Sequence, residues 1–220
     1  MRICLFSFLV LISAFFCAQE GKKVSIETQF RLLSDTGASQ NNLKIRYHFN
    51  EKHVLRTNWS FMYNSATNEI LETDGDGVGS IEEVTAAHYV SLGYERHFAF
   101  DKMAPYLGGA LGYGFGNESE YGSRTDGLTF INDFNYNQQQ KISAIYVDVF
   151  SGFDFNLYKG LYLGTEIGLR FLNTKYLRGE LQTEDASSTT DSSTTTPIPE
   201  KKSTSLSLVN MGVLRVGWKF

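Results

Sequence analysis

Residues 206–220 read L-S-L-V-N-M-G-V-L-R-V-G-W-K-F, and the run alternates. Leu206, Leu208, Leu214, Val216, Trp218 and Phe220 fall on one face, with Ser207, Arg215, Gly217 and Lys219 on the other. A period of two is that of a strand with one apolar and one polar face. Chain ends tend to fray into water, so a last strand carrying Trp218 and Phe220 asks for an apolar surrounding that holds it. Asn210 and Gly212 interrupt the apolar row. A bulge at that point would bring Met211 or Val209 outward.

The same alternation recurs along the chain and predicts seven earlier strands. The first covers residues 24–32, with Val24, Ile26, Thr28, Phe30 and Leu32 on one row. The second and third cover residues 43–49 and 55–63, the fourth 86–95, and the fifth 105–115. The sixth carries Ile145, Val147, Val149, Phe153 and Phe155, and the seventh covers residues 161–171. In the fifth, the row opposite the apolar one is mostly small: Tyr106, Gly108, Ala110, Gly112 and Gly114. Short connections at residues 50–53, 98–103 and 156–160 alternate with polar ones at 33–42, 64–83, 116–140 and 173–204, each read as a long loop. The Ser/Thr tract at residues 187–196 cannot bury a core and is expected to be mobile.

No Asp, Glu, Lys or Arg sits on any apolar row, whereas the polar rows carry Glu27, Arg31, Lys44, Arg46, Arg56, Glu95, Asp148, Asp154, Glu166, Arg170 and Arg215. About eight strands near the ~9–11 residues that cross a membrane when tilted predict a closed β-barrel. Alternation alone does not say which face is outside. An inward apolar face would make a soluble carrier of a hydrophobic ligand, as in lipocalins. The positions of the aromatics argue for the other orientation. Tyr47, Phe49, Phe61, Tyr63, Tyr94, Phe153, Phe155, Trp218 and Phe220 gather at strand ends, while aliphatics fill the middles. Two aromatic belts around an aliphatic band are the girdles of a membrane barrel.

The N-terminus fits an exported chain. Arg2, an apolar run over residues 3–16 and then Cys17-Ala18-Gln19 read as a signal peptide, residues 1–18, cleaved after Ala18. Both cysteines, Cys4 and Cys17, leave with it, so no disulfide framework is expected. Residues 19–220 then form one barrel domain. Net charge is −4 and the basic residues do not cluster, which argues against nucleic acid as a partner.

The final strand resembles the C-terminal strand of bacterial outer-membrane β-barrels, in which a terminal Phe with alternating hydrophobics is read by the barrel-assembly machinery. Leu214, Val216, Trp218 and Phe220 carry that resemblance. The wording A-P-Y-L-G-G-A-L-G-Y-G and G-L-Y-L-G-T-E-I-G-L-R-F is similar to the porin-like outer-membrane β-barrel domain common in Bacteroidota. The mature chain as a whole resembles the small eight-stranded barrels of the OmpA and OmpX kind. What the resemblance implies is an all-β, eight-stranded antiparallel up-and-down transmembrane barrel. Its termini and short turns would be periplasmic, its long loops extracellular, and its partners the outer-membrane lipids and the assembly machinery. It implies no activity, since function belongs to sites rather than folds. The expected role is structural, adhesive or surface-binding through the loops, with a narrow pore as the alternative and no cofactor.

Three groups of residues invite chemistry. In residues 72–83, Glu72, Asp74, Asp76 and Glu83 fall at positions one, three, five and twelve of an EF-hand-like calcium loop, with Gly77 at six. Glu in place of Asp at position one, and strands rather than helices on either side, favour a plain acidic surface loop. Arg46, Arg56, Glu95, Asp148, Glu166, Arg170 and Arg215 are expected to pair inside the barrel as a polar plug, because buried charges need partners. His88 lies on an apolar row near a strand end. Some small outer-membrane barrels are lipid A deacylases that use a His/Ser pair there, but Val90 stands two residues on, and an interfacial His with no catalytic part is the expectation.

Overall fold

The computed structural model describes residues 23–31, 41–71, 78–98, 103–124, 134–185, 193–209 and 213–220. The predicted signal peptide lies outside them. Eleven strands are present among the described residues: β1 Val24–Arg31, β2 Asn41–His48, β3 His53–Leu71, β4 Val78–His97, β5 Met103–Arg124, β6 Phe134–Tyr158, β7 Leu161–Tyr176, β8 Gly179–Asp185, β9 Ser193–Ile198, β10 Lys201–Val209 and β11 Val213–Lys219.

Pairing runs in sequence order from β1 to β7, then from β7 to β11, and β11 returns to β1. Every pair is antiparallel, so these strands close an eight-membered ring. β10 continues the eighth position along the far half of β7, from Leu208 opposite Leu169 to Lys201 opposite Tyr176. Closure satisfies the backbone groups that an open sheet would leave along its edges.

The eighth position is irregular. Val209 pairs with Gly168 and Leu214 with Thr165, so four residues of one strand pass two of the other. An insertion of two preserves the facing of every side chain, whereas a slip of one would invert it. Leu206 and Leu208 therefore stay outward like Trp218. Val209 packs toward Gly168 on the inner face, so the expected outward turn of Val209 does not occur. Met211 falls outside the described residues.

The turns at the near end are tight. β6 and β7 are joined by Lys159 and Gly160 alone, with φ of 40° and 105°. Two positive φ values in a two-residue connection suit the twist of the flanking strands, and glycine takes the second without steric cost. Between β2 and β3, Asn50 Oδ1 accepts from the backbone N–H groups of Lys52 and His53, both at 2.9 Å.

The far end departs from expectation. Residues 64–83 and 116–140 are not long loops, because β3 to β6 run through most of them. Beyond them β8 pairs with residues 134–139 of β6, and β9 pairs with β8. Ser193–Ile198, all but its last two residues within the tract expected to be mobile, is strand β9. Polarity in these segments does not mean irregular backbone. A ladder is made by the backbone, and Thr, Ser, Asn and Gln occupy it when both faces are wet.

Burial settles which face is outside. Serine, glutamate, lysine and arginine at positions 25, 27, 44, 46, 56 and 215 are buried, and the intervening apolar residues are partly or fully exposed. Leu111 is 62% exposed while Arg46 is 0% exposed. The ring is inverted relative to a soluble protein. An inward apolar cavity of the lipocalin type is not what it encloses.

Candidate functional site: the ionised interior of the ring

The inward rows meet in one network. Four cations (Lys44, Arg46, Arg56, Arg215) face four carboxylates (Glu27, Glu95, Asp154, Glu166). Equal numbers matter here, because a net charge at this depth would face no counter-ions.

Arg215 donates to Glu27 at 2.9 Å and to Asp154 at 2.7 Å, and so ties β11 to β1 and β6. Arg46 donates to Asp154 at 2.6 Å and to Glu95 at 3.1 Å, joining β2 to β6 and β4. Arg56 reaches Glu95 at 3.1 Å and Glu166 at 2.8 Å. Lys44 donates to Glu166 at 3.1 Å, and Tyr106 donates its hydroxyl to the same carboxylate at 2.7 Å. Arg215–Glu27 and Arg56–Glu95 join neighbouring strands, whereas the links of Arg46 and Arg215 to Asp154 and of Arg56 and Lys44 to Glu166 join strands that do not pair, so the network cross-braces the ring.

Aromatic rings complete the filling. Arg56 lies 3.4 Å from the Phe150 ring centre, and Arg46 and Arg215 lie 5.0 and 5.3 Å from that of Tyr106. Arg46 Nη2, Arg56 Nε and Arg215 Nε have no hydrogen-bond acceptor among the described residues. Stacking on an aromatic face partly compensates a guanidinium for lost hydration. The small row of β5 makes room for these rings. A Cβ on Gly108 would meet Phe150, one on Gly112 would overlap Tyr146, and one on Gly114 would meet Tyr89 at 2.6 Å.

Of the seven residues expected to pair inside, five share this network: Arg46, Arg56, Glu95, Glu166 and Arg215. Asp148 and Arg170 form a separate bidentate pair further along, with both bonds at 2.8 Å, beneath Tyr146. Glu27, Lys44 and Asp154, expected on polar rows but not in the paired set, join the network as well. Tyr106, read only as part of the row opposite the apolar one, and His97, assigned to no row, are further members. His97 Nε2 lies 2.8 Å from Glu95, and its ring stacks on Tyr106 at 5.0 Å. The signal for both is present, since Tyr106 and Gly108 share a face, as do Glu95 and His97.

The other candidates fall elsewhere. Glu83 stands in β4 opposite Ala66, so the second half of the calcium-loop reading is ladder rather than loop. Extended backbone sends Glu82 and Glu83 to opposite faces and cannot wrap one ion. Glu72, Asp74 and Asp76 lie outside the described residues. His88 faces outward among rings, 4.9 Å from Phe61, 5.4 Å from Phe115 and 6.2 Å from Trp59. In the final strand, Leu214, Val216, Trp218 and Phe220 share the outward face, and the Phe220 N–H donates to the Val24 carbonyl at 2.7 Å.

No protein-family description matches the sequence, and no curated protein matches it. Among solved structures, the chain is similar to a major outer membrane protein from Thermus thermophilus at 12% identity and a TM-score of 0.49, over 91% of this chain and 100% of that one. It is similar to Ail, the attachment invasion locus protein of Yersinia pestis, at 14% identity and a TM-score of 0.39, over 90% and 97%. It is also similar to CarO of Acinetobacter baumannii at 11% identity and a TM-score of 0.36, over 91% and 98%.

Proposed function

We propose that this chain is an integral protein of a bacterial outer membrane, a sealed barrel that holds a polar sheet outside the cell for surface binding. The observation that carries the reading is the inverted ring. Outward rows of β1 to β7, β10 and β11 present mostly aliphatics and aromatics, with Arg96 following Tyr94 at the near margin and no Asp, Glu, Lys or Arg between the two margins, and inward rows carry the charge. Water on the outside would make that arrangement unfavourable on both faces, because exposed apolar belts associate and buried ions lose hydration. Lipid reverses the first term.

Dimensions support the same reading. The outward row of β6 from Ile145 to Phe155 runs about 33 Å at roughly 3.3 Å per residue. A tilt of about 40° makes that about 25 Å of depth, the height of an apolar band in such barrels. Phe61, His88 and Phe115 form one rung at its far margin, and Tyr94, Phe153, Phe155 and Trp218 line its near margin. Lys23, Phe220 and the tight turns fall at the near end, which we place in the periplasm, with Leu214, Val216, Trp218 and Phe220 as the contact for the assembly machinery. The cross-braced interior acts as a plug, which supports a sealed barrel over a conducting one.

Fractionation followed by electrophoresis of boiled and unboiled samples tests this directly. An outer-membrane band that migrates faster before boiling is the expected result. Recovery in a soluble fraction, or one mobility under both conditions, would overturn the reading.

A further inference from the structure

Beyond the Phe61–His88–Phe115 rung, β3, β4, β5, β6, β8 and β9 continue as one sheet. Unbroken registers keep the outward face of the ring as one face of this extension. A straight rung crosses it: Thr67, Glu82, Tyr121, Asn137, Gln182 and Thr195 are successive cross-strand partners. Around Glu82, Tyr121, Asn137 and Gln182 lies an open cleft of about 380 Å³, continued by Ser80, Ser123, Asn135 and Glu184 of the adjoining rung.

Its chemistry is selective. Among the described residues, side-chain amides, hydroxyls and the two carboxylates line it, with the half-exposed Tyr121 ring and no aliphatic, Lys or Arg side chain. A peptide-binding groove would offer apolar pockets for anchoring side chains. A polyanion would meet Glu82 and Glu184 with no cation among the described lining residues to offset them. Amides and carboxylates present paired donors and acceptors in a plane, which suits vicinal hydroxyl groups that both donate and accept. An exposed aromatic ring supplies the flat apolar surface that the C–H face of a sugar ring covers.

We infer that this cleft binds a glycan free of anionic groups, with amine-bearing sugars preferred through Glu82 and Glu184. The inference deepens the surface-binding reading and rests on it. Neighbouring strands about 4.8 Å apart place successive side chains at intervals comparable to one sugar ring, so an extended oligosaccharide would lie along the rung and cross the strands.

The test uses the full chain in phospholipid vesicles, captured on surfaces bearing maltoheptaose, a glucosamine hexamer, heparin or oligolysine. Retention on the first two surfaces and not on heparin is expected, with a drop of about tenfold or more in Y121A/N137A. E82Q/E184Q should lose the preference for the glucosamine hexamer and keep maltoheptaose binding. Absence of glycan retention, retention on heparin alone, capture by oligolysine alone, or retention unchanged in Y121A/N137A would each overturn the inference. Unboiled samples of the same vesicles, run on gels, separate the two claims. Heat-dependent mobility without glycan binding sinks only the ligand assignment, and its absence sinks the barrel.

Discussion

The near and far halves of β3 to β6 are the same strands in the same ladder, yet their side chains obey different rules. Near the tight turns, β4 alternates strictly: Ser91, Gly93, Glu95 and His97 buried, Leu92, Tyr94 and Arg96 exposed. Toward Val78 the order loosens, and Ile81, Glu82, Glu83 and Val84 are all at least partly exposed. The hydrogen-bonded backbone is indifferent to this change. Side-chain alternation records what lies on each side of the sheet: in the proposed placement, lipid against a packed ionic lumen in one half and water against water in the other. A ladder is therefore read poorly from polarity, and its surroundings are read well.

The most damaging way to probe the difference is to break the lumen. Arg46→Met removes the partner shared by Glu95 and Asp154 and leaves both carboxylates buried. Deleting one member of a buried pair costs about 3–5 kcal/mol. Urea unfolding in vesicles, followed through Trp59 and Trp218 fluorescence, should show a loss of that size. A loss under about 1 kcal/mol would mean that water reaches the network and that the lumen is not sealed.

Next in size is a charge on the outward face. Leu111→Arg places a guanidinium in the middle of the proposed lipid band and should destabilise by about 2–4 kcal/mol. Ser119→Arg, eight residues along the same face of β5, lies in the far half and should change stability by less than about 0.5 kcal/mol. Equal effects at the two positions would remove the distinction between the halves, and with it the membrane assignment.

This contrast also separates what can be read from the sequence from what cannot. The near half is legible because two different surroundings impose a period of two on Leu, Val and Phe against Glu, Lys and Arg. Strand order and facing follow from that, and the inward placement of Arg46, Glu95, Glu166 and Arg215 follows from facing. Which carboxylate each arginine meets is not legible, because Arg46 and Asp154 are 108 residues apart and meet only through ring closure. The far strands escape for the opposite reason. Asn135, Asn137, Gln139 and Lys141 share a face with Glu-, Gln- and Thr-rich neighbours, so no difference between faces marks them as strand. Tyr106 and His97 escape a search for charge networks, because the lumen is closed equally by aromatic rings.

Packing within the ring gives a third, smaller effect. A methyl group on Gly112 points at the Tyr146 ring inside, whereas one on Gly109 points outward and makes an ordinary contact, 3.4 Å from the Asp148 carbonyl. Overpacking costs about 1–3 kcal/mol. G112A should lose an amount in that range and G109A close to none, measured by the same unfolding assay. Equal tolerance would show that the lumen has slack.

The smallest effect expected is the most informative about the far half. Glu82 and Tyr121 are cross-strand partners on the exposed face, and Glu82 accepts a long hydrogen bond of 3.4 Å from Ser65. Replacing either with Ala removes side-chain contacts in water but leaves the backbone ladder intact, so stability should move by less than about 0.5 kcal/mol. The residues of this face are thus freer of folding constraint than those of the lumen. If E82A or Y121A instead cost more than about 1 kcal/mol, the far sheet would depend on its side chains for its own fold. A surface that keeps its ladder when these residues are cut back is one on which Tyr, Asn, Gln and Glu are at liberty to serve an external ligand.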